Sequence, residues 1–142
     1  MSKTAVIYWS GTGNTEAMAQ AVFDGAKEVN PETVLFTVSE ISAADAAGYD
    51  TLIMGCPAMG AETLEESEFE PFFTEIEGSI SGKNIALFGS YGWGDGEWMR
   101  SWEERVNAAG AKLVIDSVIA NDAPDDDALA QCAELGKTAA NA

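Results

Sequence analysis

The sequence predicts an α/β domain with a doubly wound parallel sheet, because five short apolar runs alternate along the chain with segments of helical periodicity. Three of the runs are almost continuously apolar, which is typical of strands that are buried on both faces. The chain has 142 residues, of which 46% are hydrophobic, and this length supports one core. We therefore expect residues 1–142 to form a single domain, with helices on both faces of a five-stranded sheet.

Each predicted strand is an apolar run that ends at a polar or glycine-rich segment. The runs are Thr4–Trp9, Thr33–Val38, Asp50–Gly55, Asn84–Phe88 and Lys112–Ala120. Between and after them, apolar residues recur at helical spacing, which predicts helices within 18–29, 41–47, 69–76, 98–109 and 129–140. Ligands of such folds bind beyond the carboxyl ends of the strands. The loops after the first, third and fourth strands are therefore the candidate site.

The charge of the chain restricts its partners. Asp and Glu number 24 against 7 Lys and Arg, which gives a formal net charge of −17. Nucleic acids and anionic lipid surfaces bind basic patches, so we expect neither as a partner. No apolar run is long enough to span a bilayer, and the first residues show no cleavage-site pattern, so we expect a cytoplasmic protein. Self-repulsion at this charge also favours a monomer.

The lack of His and the isolation of the two Cys exclude several kinds of nucleophilic and metal-binding site. Without His, Ser-His and Cys-His nucleophiles and His metal ligands cannot form. Cys56 and Cys132 are far apart in sequence and form no Cys-x-x-Cys unit. We interpret both as buried small apolar residues, with a disulfide between them as the alternative. We expect no metal site and no catalytic residue.

The loop after the first strand has the composition of an anion-binding loop. It reads Ser10-Gly11-Thr12-Gly13-Asn14-Thr15 and leads into a predicted helix. Glycines allow backbone N–H groups to surround an oxyanion, and hydroxyls and the helix N-terminus add donors. The Lys of a Walker loop is absent, and Glu16 stands where a dinucleotide fingerprint needs its third glycine. A monophosphate is the expected ligand, although an ordinary capped turn explains this loop alone equally well.

Two more glycine-rich loops, Gly55–Glu62 and Gly89–Gly96, follow the third and fourth strands. Each carries one large apolar side chain, Met59 or Trp93, and neighbouring strands bring the two to the same edge of the sheet. Taken singly, each is explained more simply by local packing. Together with an anion-binding loop, they indicate a flat aromatic ligand between them, as in a flavin site.

On these residues the chain resembles the short-chain flavodoxins, small bacterial proteins that bind flavin mononucleotide (FMN), particularly those of anaerobes. The resemblance covers the whole length, and its most specific segments are Tyr8–Thr15, Ala58–Gly60 and Leu87–Trp98. It implies the strand order 2-1-3-4-5. It also implies a low-potential one-electron carrier that replaces ferredoxin by shuttling non-covalently bound FMN between semiquinone and hydroquinone, and not an enzyme.

The resemblance further implies which residues bind FMN. The side chains of the first loop hold the phosphate, Met59 and Trp93 sandwich the ring, and Glu62 accepts a hydrogen bond from ring N3–H. The peptide after Gly60 reverses on reduction, so that its carbonyl accepts a hydrogen bond from N5–H. The implied FMN-binding residues are Ser10, Gly11, Thr12, Gly13, Asn14, Thr15, Pro57, Ala58, Met59, Gly60, Ala61, Glu62, Ser90, Tyr91, Gly92, Trp93, Gly94 and Asp95.

Two residues depart from the family pattern. Pro57 stands where some relatives have a phosphate-contacting Ser, which implies weaker binding by the net value of one hydrogen bond, about 1 kcal/mol. Ala61 follows Gly60 where many relatives have Asp, which implies a slightly altered peptide reversal.

Acidic residues surround the candidate site, and we expect no cation near it. Such surroundings oppose the second electron, which makes bound flavin anionic, so we expect well-separated potentials. The same carboxylates would steer basic redox proteins, both low-potential oxidoreductases and reductases, into a weak and fast complex. Asp125–Asp127 are explained separately, as favourable charge at the start of the last helix.

Two other functions of the same fold are alternatives. An NAD(P)H-dependent flavin or quinone reductase would need a second pocket over the flavin and basic residues for the nicotinamide phosphate. A receiver-like signalling domain would need acidic residues after the first strand and an Asp at the end of the third. The chain has Ser10-Gly11-Thr12 and Met54-Gly55-Cys56 at those places.

Overall fold

Six strands and five helices make up the computed structural model, which describes residues 3–60 and 62–142. The strands are β1 (Thr4–Tyr8), β2 (Val34–Thr37), β3 (Thr51–Gly55), β4 (Asn84–Tyr91), β5 (Lys112–Leu113) and β6 (Val118–Asn121). The helices are α1 (Asn14–Val29), α2 (Ala43–Ala46), α3 (Phe69–Ile76), α4 (Glu97–Ala108) and α5 (Asp126–Ala140). Short 3₁₀ turns at Val38–Glu40 and Glu77–Ser79 follow β2 and α3.

The strands form one parallel sheet in the order β2-β1-β3-β4-β5, which confirms the predicted order. The pairing is in continuous register, with Val6 beside Leu35 on one side and beside Ile53 on the other. Because parallel neighbours need a crossover, each long helix returns the chain from the carboxyl edge of the sheet to its amino edge. All the strand ends that carry the candidate loops therefore lie at one edge.

The structure differs from the prediction at the last strand and at the end of β4. The expected strand at 112–120 is interrupted, since β5 pairs with the start of β4 and β6 pairs with its end. Between them the chain leaves the ladder at Asp116 and Ser117, and the Ser117 hydroxyl donates to Glu103 Oε2 at 2.7 Å. Because β6 pairs with Gly89–Tyr91, these residues belong to a strand and not to the loop in which the sequence placed them.

Alternate residues of each buried strand face two separate apolar layers. On one face, Ile7, Met54 and Leu87 pack with the aromatic side chains of α3 and α4. On the other, Val6, Ile53 and Phe88 pack with α1 and α5. Both faces of the sheet are therefore covered, which explains why these strands are almost continuously apolar in sequence.

Cys56 and Cys132 are free and buried, one in each apolar layer, which confirms their interpretation as small apolar residues. Burial raises the pKa of the Cys132 thiol to about 12 and that of Cys56 well above its usual range. Both thiols are therefore protonated at neutral pH. Within residues 3–60 and 62–142, no helix has the length and apolar character that crossing a membrane requires.

Candidate cofactor site

A cleft of about 210 Å³ opens at the carboxyl edge of the sheet. It lies between the loops after β1, β3 and β4 and extends to the end of β6. Its lining consists of Trp9, Ser10, Gly11, Thr12, Asn14, Thr15, Pro57, Ala58, Met59, Ser90, Tyr91, Gly92 and Asp122. The three loops singled out in the sequence therefore meet at one site.

Ser10 organises the loop after β1. Its hydroxyl oxygen accepts hydrogen bonds from the backbone N–H groups of Gly13, at 3.1 Å, and of Glu16, at 3.2 Å. Gly13 is the N-cap residue of α1 and has no side chain that could cap the helix. Ser10 therefore supplies part of the capping from outside the helix. With both contacts accepted by the oxygen, the hydroxyl proton of Ser10 remains available to a ligand.

Thr15 links this loop to the fourth strand. Its buried hydroxyl oxygen accepts the backbone N–H of Ser90 at 3.4 Å, while the Ser90 hydroxyl donates to the backbone carbonyl of Asp122 at 2.7 Å. Thr15 thus has its hydroxyl proton left for a ligand, whereas Ser90 has already donated its own. The hydroxyl donors of the cleft are therefore concentrated on the loop after β1 and the first turn of α1.

The loop after β3 forms a tight turn beside the cleft. Met59 and Thr63 exchange two backbone hydrogen bonds, N to O, of 2.9 and 3.0 Å, which close a turn through Gly60 and Glu62. Gly60 has φ +47° and Glu62 has φ +57°, both in the left-handed region that glycine adopts most easily. Ala61, which the sequence also assigns to the site, lies outside the described residues.

Glu65 anchors the far end of this turn, although no sequence pattern indicated it. Its carboxylate accepts the backbone N–H groups of Ser67, Glu68 and Phe69 at 2.7–2.9 Å, together with the Ser67 hydroxyl. Burial raises the pKa of Glu65, but the hydrogen bonds from Ser67 and from the three N–H groups outweigh this effect and hold the pKa below its ordinary value. The carboxylate therefore serves as the cap that starts α3.

Glu62 carries an unpartnered acceptor. Its Oε1 atom is buried and has no hydrogen-bond partner among the described residues. The carboxylate lies against Gly94, where a Cβ would come within 2.2 Å of Oε1, so the turn after β3 touches the loop after β4. A buried carboxylate oxygen without a donor is costly in the protein alone. A ligand N–H at this point would satisfy it, and the flavin ring has such a group at N3.

Met59 and Trp93 are exposed, as a ligand sandwich requires. Trp93 is 65% exposed and Met59 is 36% exposed, while Trp98 and Trp102 of α4 are buried. Both lie on loops at the carboxyl edge, Met59 in the cleft wall and Trp93 beside Gly94. The exposed apolar surface at this edge, next to an unpartnered acceptor and a loop of hydroxyl donors, fits the parts of FMN.

The expectation that no cation lies near these loops is wrong. Arg100, in the first turn of α4, donates from Nη2 to Asp95 Oδ1 at 2.9 Å and from Nη1 to the Asp95 backbone carbonyl at 3.0 Å. The hydrogen bond to the Asp95 carboxylate and its charge, together with favourable charge interactions with Glu97 and Glu62, raise the pKa of the Arg100 guanidinium. The loop that carries Trp93 is thus attached to a cation.

Several predicted residues flank the cleft without lining it. Gly13 lies at the start of α1. The other such residues lie on the turns that carry Met59 and Trp93, and they are Gly60, Glu62, Trp93, Gly94 and Asp95. Conversely, Trp9 and Asp122 line the cleft although the sequence did not assign them. The position of Asp122 directly after the last strand could have indicated it, since that strand ends at the same edge. Asp125 accepts the Ala128 N–H at 2.8 Å and so caps α5, at the helix start where the sequence predicts favourable negative charge.

Comparisons with known proteins agree with this geometry. The Flavodoxin family model matches residues 6–136. The chain is 51% identical over 136 residues to flavodoxin from Clostridium beijerinckii, covering 96% of this chain and 98% of that protein. It is 45% identical over 137 residues to flavodoxin from Megasphaera elsdenii, with coverage of 96% and 98%. The solution structure of two-electron reduced Megasphaera elsdenii flavodoxin has a TM-score of 0.89 at 43% identity, covering 98% of this chain and 99% of that one. This chain therefore belongs to the flavodoxin family of FMN-binding electron carriers.

Proposed function

We propose that this protein carries single electrons at low potential on an FMN held in the cleft at the carboxyl edge of the sheet. The observation that supports this most directly is the convergence of hydroxyl donors, exposed apolar side chains and an unpartnered carboxylate at that edge. These three features match the phosphate, the ring faces and the ring N–H of one ligand. FMN, when bound, supplies the one-electron chemistry, and the protein supplies binding, orientation and charge.

The phosphate is assigned to the loop after β1. Ser10 and Thr15 each retain a hydroxyl proton to donate, and Thr12 and Asn14 add polar groups to the same wall of the cleft. Among the described residues no Lys or Arg lines the cleft, so these hydroxyls and the helix N-terminus carry the binding. Pro57 lines the cleft but has neither a hydroxyl nor an N–H to contribute.

The ring is assigned to the turn after β3 and the loop after β4. Met59 and Trp93 offer apolar surface to its two faces, and Glu62 Oε1 offers an acceptor to N3–H. The two backbone hydrogen bonds between Met59 and Thr63 hold the ends of the turn in which the family resemblance implies a peptide reversal after Gly60. The Gly60 carbonyl is then the acceptor offered to a proton at N5.

The surrounding charge favours a carrier of low potential with basic partners. Carboxylates lie beside both ring loops, and an excess of negative charge opposes a further negative charge on the ring. Exposed carboxylates at a docking edge also attract basic oxidoreductases into short-lived complexes. We further propose that the protein acts as a monomer in the cytoplasm and is not an enzyme. The relatives that the chain matches are flavodoxins, and this similarity does not favour the alternatives of a reductase or a receiver domain.

The proposed function is tested on the purified protein by identifying the released cofactor and then titrating anaerobically with reductant while recording the visible spectrum. We expect FMN, bound one per chain, and two resolved one-electron steps. Reduction in a single two-electron step would contradict the carrier proposal. A protein that takes up no FMN from solution would contradict the assignment of the cleft.

A further inference from the structure

The seven Lys and Arg residues are distributed unevenly between the two edges of the sheet. Six lie toward the amino edge, either at the starts of strands or in the last turns of helices that return the chain there. They are Lys3, Lys27, Lys83, Arg105, Lys112 and Lys137. In the part of the chain that the structure describes, Arg100 is the one Lys or Arg at the carboxyl edge, because it lies in the first turn of α4.

Arg100 is attached to the loop that carries Trp93. Its guanidinium contacts Asp95 twice, at the carboxylate and at the backbone carbonyl. Both members of the pair are exposed, with side-chain exposures of 57% for Arg100 and 79% for Asp95. Since Gly94 touches the Glu62 carboxylate, the cation lies close to both acidic turns that flank the proposed ring position.

We propose that Arg100 sets the potential of the second electron step by offsetting part of the negative charge around the flavin ring. This inference rests on the proposed function. The fully reduced ring is anionic, so a positive charge nearby stabilises it relative to the neutral one-electron-reduced ring. Loss of Arg100 therefore makes the second electron harder to add, whereas the first step, which adds a proton with its electron, changes less.

The expected effect is modest because the ion pair is exposed. An exposed charge acts on the ring through solvent-screened surroundings, which corresponds to about a threefold change in an equilibrium constant. For a one-electron step, a threefold change equals roughly 30 mV. Asp95 opposes Arg100, so removing the Asp95 charge should shift the second step in the opposite direction by a similar factor.

The test compares three variants of the FMN-loaded protein in potentiometric titrations at low and high salt. Arg100→Gln removes the charge, Arg100→Lys keeps it but cannot span both Asp95 acceptors, and Lys112→Gln removes an equal charge at the amino edge. We expect the second potential to fall in Arg100→Gln, to stay near the wild-type value in Arg100→Lys and to be unchanged in Lys112→Gln. The shift should shrink as salt screens it.

Two outcomes would overturn the inference. Equal shifts in Arg100→Gln and Arg100→Lys would show that the attachment of the loop matters and the charge does not. Equal shifts in Arg100→Gln and Lys112→Gln would show a response to net charge alone. Asp95→Asn gives an independent check, since its second potential should rise. Wild-type protein that binds FMN and titrates in two steps upholds the proposed function whichever result the variants give.

Discussion

The buried hydroxyl oxygen of Thr15 accepts the backbone N–H of Ser90 at 3.4 Å, which joins the first turn of α1 to the end of β4. Thr15 belongs to the proposed phosphate loop, and Ser90 precedes the loop that carries Trp93. A single side chain thus positions two parts of the cleft that are 75 residues apart in sequence. The Thr15 hydroxyl still has a proton to donate to a ligand, whereas the Ser90 hydroxyl donates its proton to Asp122.

Thr15→Val should weaken FMN binding by about tenfold or more, because it removes a hydrogen bond to a charged phosphate, worth about 1.5–3 kcal/mol. Riboflavin, which lacks the phosphate, should lose much less affinity. Quenching of flavin fluorescence by the apoprotein measures both dissociation constants. Thr15→Ser, which keeps the hydroxyl, is the matched control and should bind FMN nearly as the wild type does. An equal loss for both flavins in Thr15→Val would contradict the phosphate assignment.

Pro57→Ser should tighten FMN binding by about three- to tenfold, because it adds a hydroxyl and a backbone N–H to the cleft wall. The gain should be absent for riboflavin, as the added donors serve the phosphate. Pro57→Ala is the control, since it restores the N–H and removes the ring without adding a hydroxyl. If Pro57→Ala tightens binding as much as Pro57→Ser does, the hydroxyl is not the cause.

The strands and the three site loops could be predicted from local signals in the sequence, namely apolar runs, glycines and hydroxyls, whereas the strand order was implied by the family resemblance. The end of β4 could not, since Gly89–Tyr91 have the composition of a loop and become strand only through pairing with β6. Glu65 was missed for a similar reason: its bonds to three successive N–H groups depend on the path of the loop. The charge near the ring was misjudged because Arg100 was not placed relative to Asp95.

Glu62→Gln should have opposite effects on the free and the FMN-bound protein. In the free protein, Oε1 is buried without a donor among the described residues, so replacing the carboxylate by a neutral amide should raise the free energy of unfolding by about 1 kcal/mol. In the FMN complex the charge-assisted bond to N3–H is lost, so affinity should fall. Chemical denaturation of the apoprotein and FMN titration measure the two effects. A destabilised apoprotein would show that Glu62 has a protein partner.

Glu65→Gln should destabilise the protein most at neutral pH. At neutral pH the carboxylate accepts hydrogen bonds from three N–H groups and the Ser67 hydroxyl, and an amide cannot accept all of them, so we expect a loss of about 1–3 kcal/mol. The pKa of Glu65 in the folded protein lies below its ordinary value of 4.5. Its stabilising effect is therefore fully present above about pH 5 and is lost as the pH falls through the folded-state pKa.

This pH dependence is measured as the difference in unfolding free energy between wild type and Glu65→Gln, in urea at a series of pH values from 7 to 3. Taking the difference cancels the contribution of the other carboxylates, which also become protonated over this range. Glu66→Gln is the matched control, because Glu66 is an exposed neighbour whose carboxylate forms no hydrogen bond with the described residues. The difference for Glu65→Gln should shrink toward acid pH. If it stays constant, the Glu65 cap does not depend on the charge of the carboxylate.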